Sequence, residues 1–144
     1  MVDPGIEFKL IWYDQDVVEY LFKCSNGRFS GQAEAYLGYD QIPNLVKGLE
    51  GFPSGSPDCR EFELGNFDPK CGGGGMRLRF IQLDSAGHSV VDLELRDDGR
   101  RSLKHPEFVA MRMPILAAAI DSFVVETAAI GLKVGAKSFL RMSS

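Results

Sequence analysis

The sequence lacks the features that mark several common classes of protein. No apolar run approaches the roughly 20 residues that a membrane-spanning helix needs. The opening residues MVDPGIEFKLIWYD have neither a basic start nor a long apolar segment, so we predict no secretory signal. His88 and His105 have no second histidine four residues away and no nearby Cys-x-x-Cys, which argues against zinc. We therefore predict no membrane partner, no metal and no cofactor.

Cysteine is scarce, and its count excludes an ordinary disulfide framework. The three cysteines are Cys24, Cys59 and Cys71, an odd number without regular spacing. This pattern indicates a reducing compartment, most simply a cytoplasm. A bond between Cys59 and Cys71 stays open, because both lie in a region rich in loop residues.

The chain also has fewer basic than acidic residues. The chain has 16 basic and 20 acidic residues, and its net charge is -4. Because phosphate contacts need a basic surface, nucleic acid is a poor candidate for the main partner.

The length of 144 residues and the 44% hydrophobic content predict a single globular domain over residues 1–144. Loose ends are expected at about residues 1–5 and 132–144.

Residues 17–37 carry the clearest local signal, two alternating apolar and polar runs that flank Ser25-Asn26-Gly27. Asn-Gly between two such runs strongly predicts a β-hairpin. Side chains two residues apart point to the same side of a strand, so each run can bury one face. The residues expected on that buried face are Val18, Tyr20, Phe22, Cys24, Phe29, Ala33, Ala35 and Leu37.

A further alternating run over residues 6–13 predicts a strand that precedes the hairpin. Strict alternation places Trp12 on the side of Phe8 and Leu10, and it places Tyr13 on the opposite side. Only Ile11 falls outside the pattern.

The rest of the chain predicts four more strands and two helices. The strands are expected at residues 60–64, 76–83, 89–96 and 106–113, and the helices at 40–50 and 115–130. Asp40 suits the N-cap of the first helix, and Pro114 suits the first turn of the second. We predict an α+β fold, a mostly antiparallel sheet of six to seven strands with two helices packed on one face.

No set of residues predicts a catalytic centre. Four glycines at residues 72–75 lead into a strand, and no Gly-Lys-Ser/Thr follows, so they predict a flexible surface loop and not a phosphate site. Cys24 lies on an apolar strand face and is expected in the core. A dyad of Cys24 or Cys71 with His88 stays open, because such partners meet only in the fold.

Aromatic residues at the ends of the first and third strands suggest a binding surface instead. Trp, Tyr and Arg are the residue types that dominate binding hot spots. If both helices cover one face of the sheet, the other face is bare, with Glu34 and other polar side chains on it. The candidate partner-binding residues are Trp12, Tyr13, Arg28, Glu34 and Tyr36. Ordinary packing of these aromatics within the sheet is the alternative.

Several segments together resemble a family of small bacterial proteins of unknown function. They are SNGRFSGQAEAYL, LEGFP followed by REFELG, GGGGMRLRF, and SAGHSVVDLEL with a closing apolar helix. The resemblance covers about residues 12–130 and implies no particular activity. By analogy, bacterial proteins of this size include immunity partners of secreted toxins.

Two functions follow as hypotheses. The first is a non-catalytic protein-binding module, of immunity type or self-associating as a homodimer, that acts through a sheet face or edge. The second is a small-molecule-binding protein or enzyme with a pocket between sheet and helices, gated by the glycine loop at residues 72–75. A cavity lined by Arg28, His88 or Cys71 would favour the second.

Overall fold

The described part of the chain folds into eight strands and two helices. The computed structural model describes residues 3–55, 57–68, 72–100 and 103–143. The elements are β1 (Gly5–Tyr13), β2 (Val18–Ser25), β3 (Ser30–Leu37), α1 (Gln41–Leu49), β4 (Cys59–Gly65), β5 (Gly75–Gln82), β6 (Ser89–Asp97), β7 (Glu107–Ile115), α2 (Ala117–Ile130) and β8 (Lys137–Arg141).

The strands form two antiparallel sheets of four, and not the single sheet of six to seven strands predicted from the sequence. Sheet A has the order β3-β2-β1-β8, and sheet B has the order β4-β5-β6-β7. Alternation identifies a strand with one buried face, but it does not say which sheet the strand joins. The α+β class and the antiparallel pairing are confirmed.

The predicted hairpin joins β2 to β3. The Asn26 side-chain oxygen accepts hydrogen bonds from the backbone N–H groups of Arg28 at 3.0 Å and Phe29 at 2.8 Å. Gly27 has a φ of 90°, a value that glycine adopts without strain. Phe29 belongs to this turn and is exposed, although alternation placed it on the buried face.

A β-bulge in β1 exchanges the two neighbouring aromatics between the faces of sheet A. Leu10 lies opposite Tyr20, but after the register shift Trp12 lies opposite Glu19 and Tyr13 opposite Val18. One extra residue in a strand turns every later side chain to the other face. Trp12 therefore lies on the outer face and Tyr13 on the inner side, the reverse of the prediction.

One continuous core lies between sheet A, sheet B and α2. Phe8 is fully buried, with its ring 4.8 Å from that of Phe22 and 5.1 Å from that of Phe123 on α2. Strand β3 approaches sheet B closely. A Cβ on Gly31 would lie 2.8 Å from a methyl group of Val109, so this position needs glycine. The inner face of sheet A is thus occupied and its outer face is left open.

Both predicted helices form, but their first turns differ from expectation. Asp40 makes no side-chain cap hydrogen bond to α1. Pro114 lies within β7 and pairs with Val90, so α2 begins later, at Ala117. Strand β7 is at the edge of sheet B, where a residue without an N–H is tolerated. Helix α1 packs against α2 and β4.

The segment expected to be a loose tail contains β8, and the expected loose start reaches into β1. The pairing runs from Gly5 opposite Arg141 to Lys9 opposite Lys137. The outer edge of β8 is covered in part by α2, since the Glu126 carboxylate accepts a hydrogen bond from the Phe139 N–H at 2.9 Å. The five residues Lys137–Arg141, whose sequence pattern does not predict a strand, thus form the fourth strand of sheet A.

Asp58 ties the loop after α1 to the start of β4, and it predicts an acid-sensitive contribution to stability. Its carboxylate accepts from the Ser54 N–H at 2.9 Å and pairs with Arg60 at 2.9 Å. The hydrogen bond from Arg60, with those from Ser54, lowers the pKa of Asp58 to about 2.

Because this pKa is lowered in the folded state, the stabilisation is present above about pH 4 and lost as the pH falls towards about 2. Urea unfolding of the wild type and Asp58→Asn should show a stability difference that shrinks over this interval. A difference that stays constant down to about pH 2 would contradict the assignment.

Candidate functional site

The outer side of sheet A, here called the open face, lies opposite the core. Its rows follow from strand register, with Trp12, Glu19 and Tyr36 side by side across β1, β2 and β3. The other large side chains of the open face are Glu7, Lys9, Leu21, Lys23, Gln32, Glu34, Lys137, Phe139 and Arg141.

No helix among the described residues is long and apolar enough to cross a membrane.

Two exposed aromatic rings meet on the open face. The ring centroids of Trp12 and Tyr36 are 6.4 Å apart with planes at 85°, an edge-to-face contact. Trp12 is 45% exposed and Tyr36 is 42% exposed, so the pair keeps large surfaces in water. The bulge in β1 creates this pair, because without it Trp12 would point to the core.

An acidic cleft adjoins the pair along the edge of β3. It has a volume of about 390 Å³ and lies between β3 and the segments that leave β6 and enter β7. Phe108, 65% exposed, lies at its far side. The charged residues that line it are Glu34, Asp97, Asp98, Arg100 and Glu107.

Asp98 anchors the cleft wall. Burial alone would raise the pKa of Asp98, but hydrogen bonds from the N–H groups of Arg100 and Gly73 hold it below its usual value. The Arg100 guanidinium lies 3.2 Å from Asp98 and 4.0 Å from Glu34. Partial burial raises the pKa of Glu19, and the charge of Glu34 adds to this shift. Glu19 and Glu34 are thus close enough to repel each other when both are charged, which favours a cationic partner.

The five candidate residues from the sequence do not form one site. Trp12, Glu34 and Tyr36 lie together, whereas Tyr13 is on the other face. Arg28 is exposed at the hairpin tip, roughly 20 Å along β2 from the aromatic pair. Sequence reasoning missed Asp98 and Arg100, for which the only signal was the charged connector DDGRR.

The glycine run is mostly buried and is not the flexible surface loop that was predicted. Arg96, only 2% exposed, donates to the Gly73 carbonyl at 2.9 Å. The Gly74 N–H donates to the Glu34 carbonyl at 3.0 Å. A Cβ at Gly74 would lie 2.4 Å from the Arg96 carbonyl, so a side chain has no room there. The run therefore fastens β3 to sheet B beside the acidic cleft.

An apolar groove of about 490 Å³ lies between β2, α1 and α2. None of residues 72–75 lines it, so the predicted glycine gate does not apply to it. Arg28 and His88 do not line this groove, and Cys71 lies outside the described residues. The groove is lined by Val18, Tyr20, Gly38, Tyr39, Ile42, Pro43, Val46, Lys47, Glu50, Thr127, Ala128, Gly131 and Leu132.

Of the candidates for a reactive pair that the structure describes, Cys24 and His88 do not form one. Cys24 is buried as predicted, and burial raises the pKa of its thiol to about 11, which disfavours the nucleophilic thiolate. The His88 ring lies 2.7 Å from Asp84 within an exposed turn. Cys59 is a free thiol, and Cys71, its possible partner, lies outside the described residues. Within the described ranges, no group of three or more His, Cys, Asp or Glu side chains could hold a metal ion.

Comparison of the chain with protein-family models, curated proteins and solved structures gives no match. The resemblance to a family of small bacterial proteins stays a prediction.

Proposed function

We propose that this chain is a non-catalytic protein-binding module. Its open face and acidic cleft would receive a basic surface on a partner protein. The observation that carries the proposal is the exposed Trp12–Tyr36 ring pair beside the carboxylates of Glu19 and Glu34.

The aromatic pair supplies the apolar part of the binding energy. Interfaces depend on a few anchors, usually Trp, Tyr or Arg, set among contacts that exclude water. Trp12 and Tyr36 are held by strand pairing, so little conformational entropy is lost when a partner covers them.

The charges around the pair favour a basic partner. Among the described residues, five carboxylates and one guanidinium line the cleft or lie beside the aromatic row. The other basic side chains of the open face, Lys9, Lys23, Lys137 and Arg141, do not line the cleft. Their potential would steer a positively charged surface and reject an acidic one. The described carboxylates are Glu19, Glu34, Asp97, Asp98 and Glu107, and the guanidinium belongs to Arg100.

An immunity-type protein that covers a basic toxin is one form that such a module could take. A reducing, cytoplasmic location is part of the proposal, and the free thiols of Cys24 and Cys59 support it.

Replacing both Trp12 and Tyr36 with Ala is expected to weaken partner binding by about 100-fold or more, because two anchors are lost together. The measurement is affinity capture from a lysate of the source cells, followed by titration of the captured protein in isolation. Trp12 is the only tryptophan, so its fluorescence reports on the open face directly. The captured protein should be basic, and its affinity should fall as salt is raised.

Tyr13→Ala is the matched control. Tyr13 is 41% exposed, nearly the same as Tyr36, but it lies on the other face of sheet A. It should retain full affinity. Capture of no protein, or a partner that binds the double variant as well as the wild type, would contradict the proposal.

The apolar groove favours small-molecule binding as a second candidate function. Its volume of about 490 Å³ falls within the usual range for ligand sites. Val18 and Tyr20 contribute to it from the inner face of sheet A, so it is separate from the open face. The two functions can therefore be tested independently.

A further inference from the structure

One tyrosine hydroxyl in the apolar groove makes no hydrogen bond to any described residue. Tyr20 lines the groove from β2 and is only 2% exposed. Every fully buried side-chain oxygen or nitrogen of the described residues has a hydrogen-bond partner. The Tyr20 hydroxyl has none among them, so it is not sealed within the core and opens onto the groove that Tyr20 lines.

The ring of Tyr20 is held in a fixed position by its neighbours. It stacks on the ring of Phe22, with centroids 6.0 Å apart and planes at 19°, and it makes an edge contact with the ring of Phe8 at 6.4 Å. Both of these neighbours are fully buried. A molecule that bonds to the hydroxyl therefore meets a group that is already ordered, and little conformational entropy is lost.

The buried side chains that line the groove beside Tyr20 carry no charge. Val18 and Ile42 are hydrocarbon, and the Thr127 hydroxyl already donates to Ser138 at 2.8 Å. Burial raises the pKa of Tyr20 to about 12, so its proton stays on the oxygen at neutral pH. Covering this O–H with hydrocarbon alone would cost free energy, whereas an acceptor placed against it would form a strong hydrogen bond.

The exposed residues of the groove favour an apolar molecule that is not an ion. Tyr39 is 40% exposed and Leu132 is 48% exposed. Tyr39 already donates its hydroxyl proton to the carbonyl of Asp14, so its ring is what it offers to the groove. Lys47 and Glu50, at the C-terminal end of α1, bring opposite charges to the lining, so the described charges select neither a cation nor an anion.

We propose that the groove binds a small, neutral and largely apolar molecule whose carbonyl oxygen accepts a hydrogen bond from Tyr20. A phenolic O–H is a better donor than acceptor, because its oxygen lone pairs are shared with the ring. A carboxylate would bring a charge into apolar surroundings, which costs more than a hydrogen bond to a neutral donor returns. This inference rests on the small-molecule function proposed for the groove, and it is independent of partner binding at the open face.

Equilibrium dialysis with three naphthalene probes of similar shape tests the proposal. The probes are 2-acetylnaphthalene, which has a carbonyl, 2-ethylnaphthalene, which has none, and the anion 2-naphthoate. Tyr20→Phe should bind the ketone about tenfold more weakly than the wild type does, and it should bind the hydrocarbon at least as well. The wild type should bind 2-naphthoate more weakly than the ketone.

Tyr20→Phe should also unfold at the same urea concentration as the wild type, because its hydroxyl has no bond to a described residue to lose. Tyr36→Phe is the matched control for removal of a hydroxyl. Tyr36 lies on the open face and does not line the groove, so this variant should bind the ketone as the wild type does.

Two alanines on α2 provide a matched pair for the groove itself. Ala128 and Ala129 are both exposed, but Ala128 lines the groove and Ala129 does not. Ala128→Phe should block the ketone and the hydrocarbon alike, whereas Ala129→Phe should change neither affinity.

The outcomes separate this inference from the function on which it rests. If Ala128→Phe blocks both probes but Tyr20→Phe leaves the ketone affinity unchanged, the groove remains a small-molecule site and the carbonyl assignment is wrong. Tighter binding of 2-naphthoate than of the ketone would also overturn the assignment. If neither uncharged probe binds the wild type, or if Ala128→Phe has no effect, the groove function and this inference are both wrong.

Discussion

Replacing Phe8 with Ala is expected to lower the free energy of unfolding by about 3–5 kcal/mol. Phe8 is fully buried, and its ring makes edge contacts with those of Tyr20, Phe22 and Phe123. Its loss opens a cavity between sheet A and α2, where the surrounding rings come from two different elements, β2 and α2, and cannot easily collapse.

Denaturant unfolding followed by far-UV circular dichroism measures this effect. Phe29→Ala is the matched control, because Phe29 is 63% exposed in the hairpin turn, and it should change stability by less than about 1 kcal/mol. A loss of less than about 1 kcal/mol in Phe8→Ala would mean that the ring is not part of the core.

Replacing Arg96 with Ala is expected to cost about 2–4 kcal/mol. The Arg96 guanidinium donates to the carbonyl of Gly73 at 2.9 Å and to that of Asn66 at 3.4 Å. Without it, the buried Gly73 carbonyl loses this donor and a large side-chain volume is left empty. The glycine run that packs against Tyr36 should then loosen.

Arg112→Ala separates this effect from the simple loss of an arginine. Arg112 is an exposed arginine that pairs with Asp92 on the neighbouring strand, and its removal should cost less than about 1 kcal/mol. Hydrogen exchange should show faster exchange at the Gly74 N–H in Arg96→Ala alone. Equal stability losses in the two variants would contradict a special role for Arg96.

Local patterns in the sequence were sufficient to predict most strands and both helices. The Asn26-Gly27 turn fixes the β2–β3 register, and apolar alternation identifies the inward residues of β5 and β6. In the β5–β6 hairpin Arg77 lies opposite Glu94, and Arg79 lies opposite Asp92. These features depend on neighbours in the chain or on a single turn.

The features that the sequence did not reveal all depend on contacts between distant segments. Arg96 follows Asp92 and Glu94 at alternate positions of β6 but is buried, and nothing local in the sequence shows that the glycine run packs against it. The division into two sheets depends on how α1 carries the chain from β3 to β4. Strand β8 is short, and only its pairing with β1 identifies it.

The candidate site was predicted only in part, because some of its residues come together through contacts between distant segments. Alternation correctly placed Glu34 and Tyr36 on the outer face of β3. The bulge after Leu10 exchanged Trp12 and Tyr13, and a single unpatterned residue, Ile11, was its only trace in the sequence. Asp98 and Arg100 joined the site only because the β6–β7 connection packs beside β3.

The pairing of β1 with β8 has a consequence for folding during synthesis. Strands β1, β2 and β3 can pair as soon as they leave the ribosome, because short turns connect them. The second edge of β1 must wait for residues 137–141, which come much later in the chain than β3. Until then its backbone N–H and C=O groups are open to pairing with another chain. Nascent or truncated chains that lack β8 should therefore need chaperones more than the finished protein does.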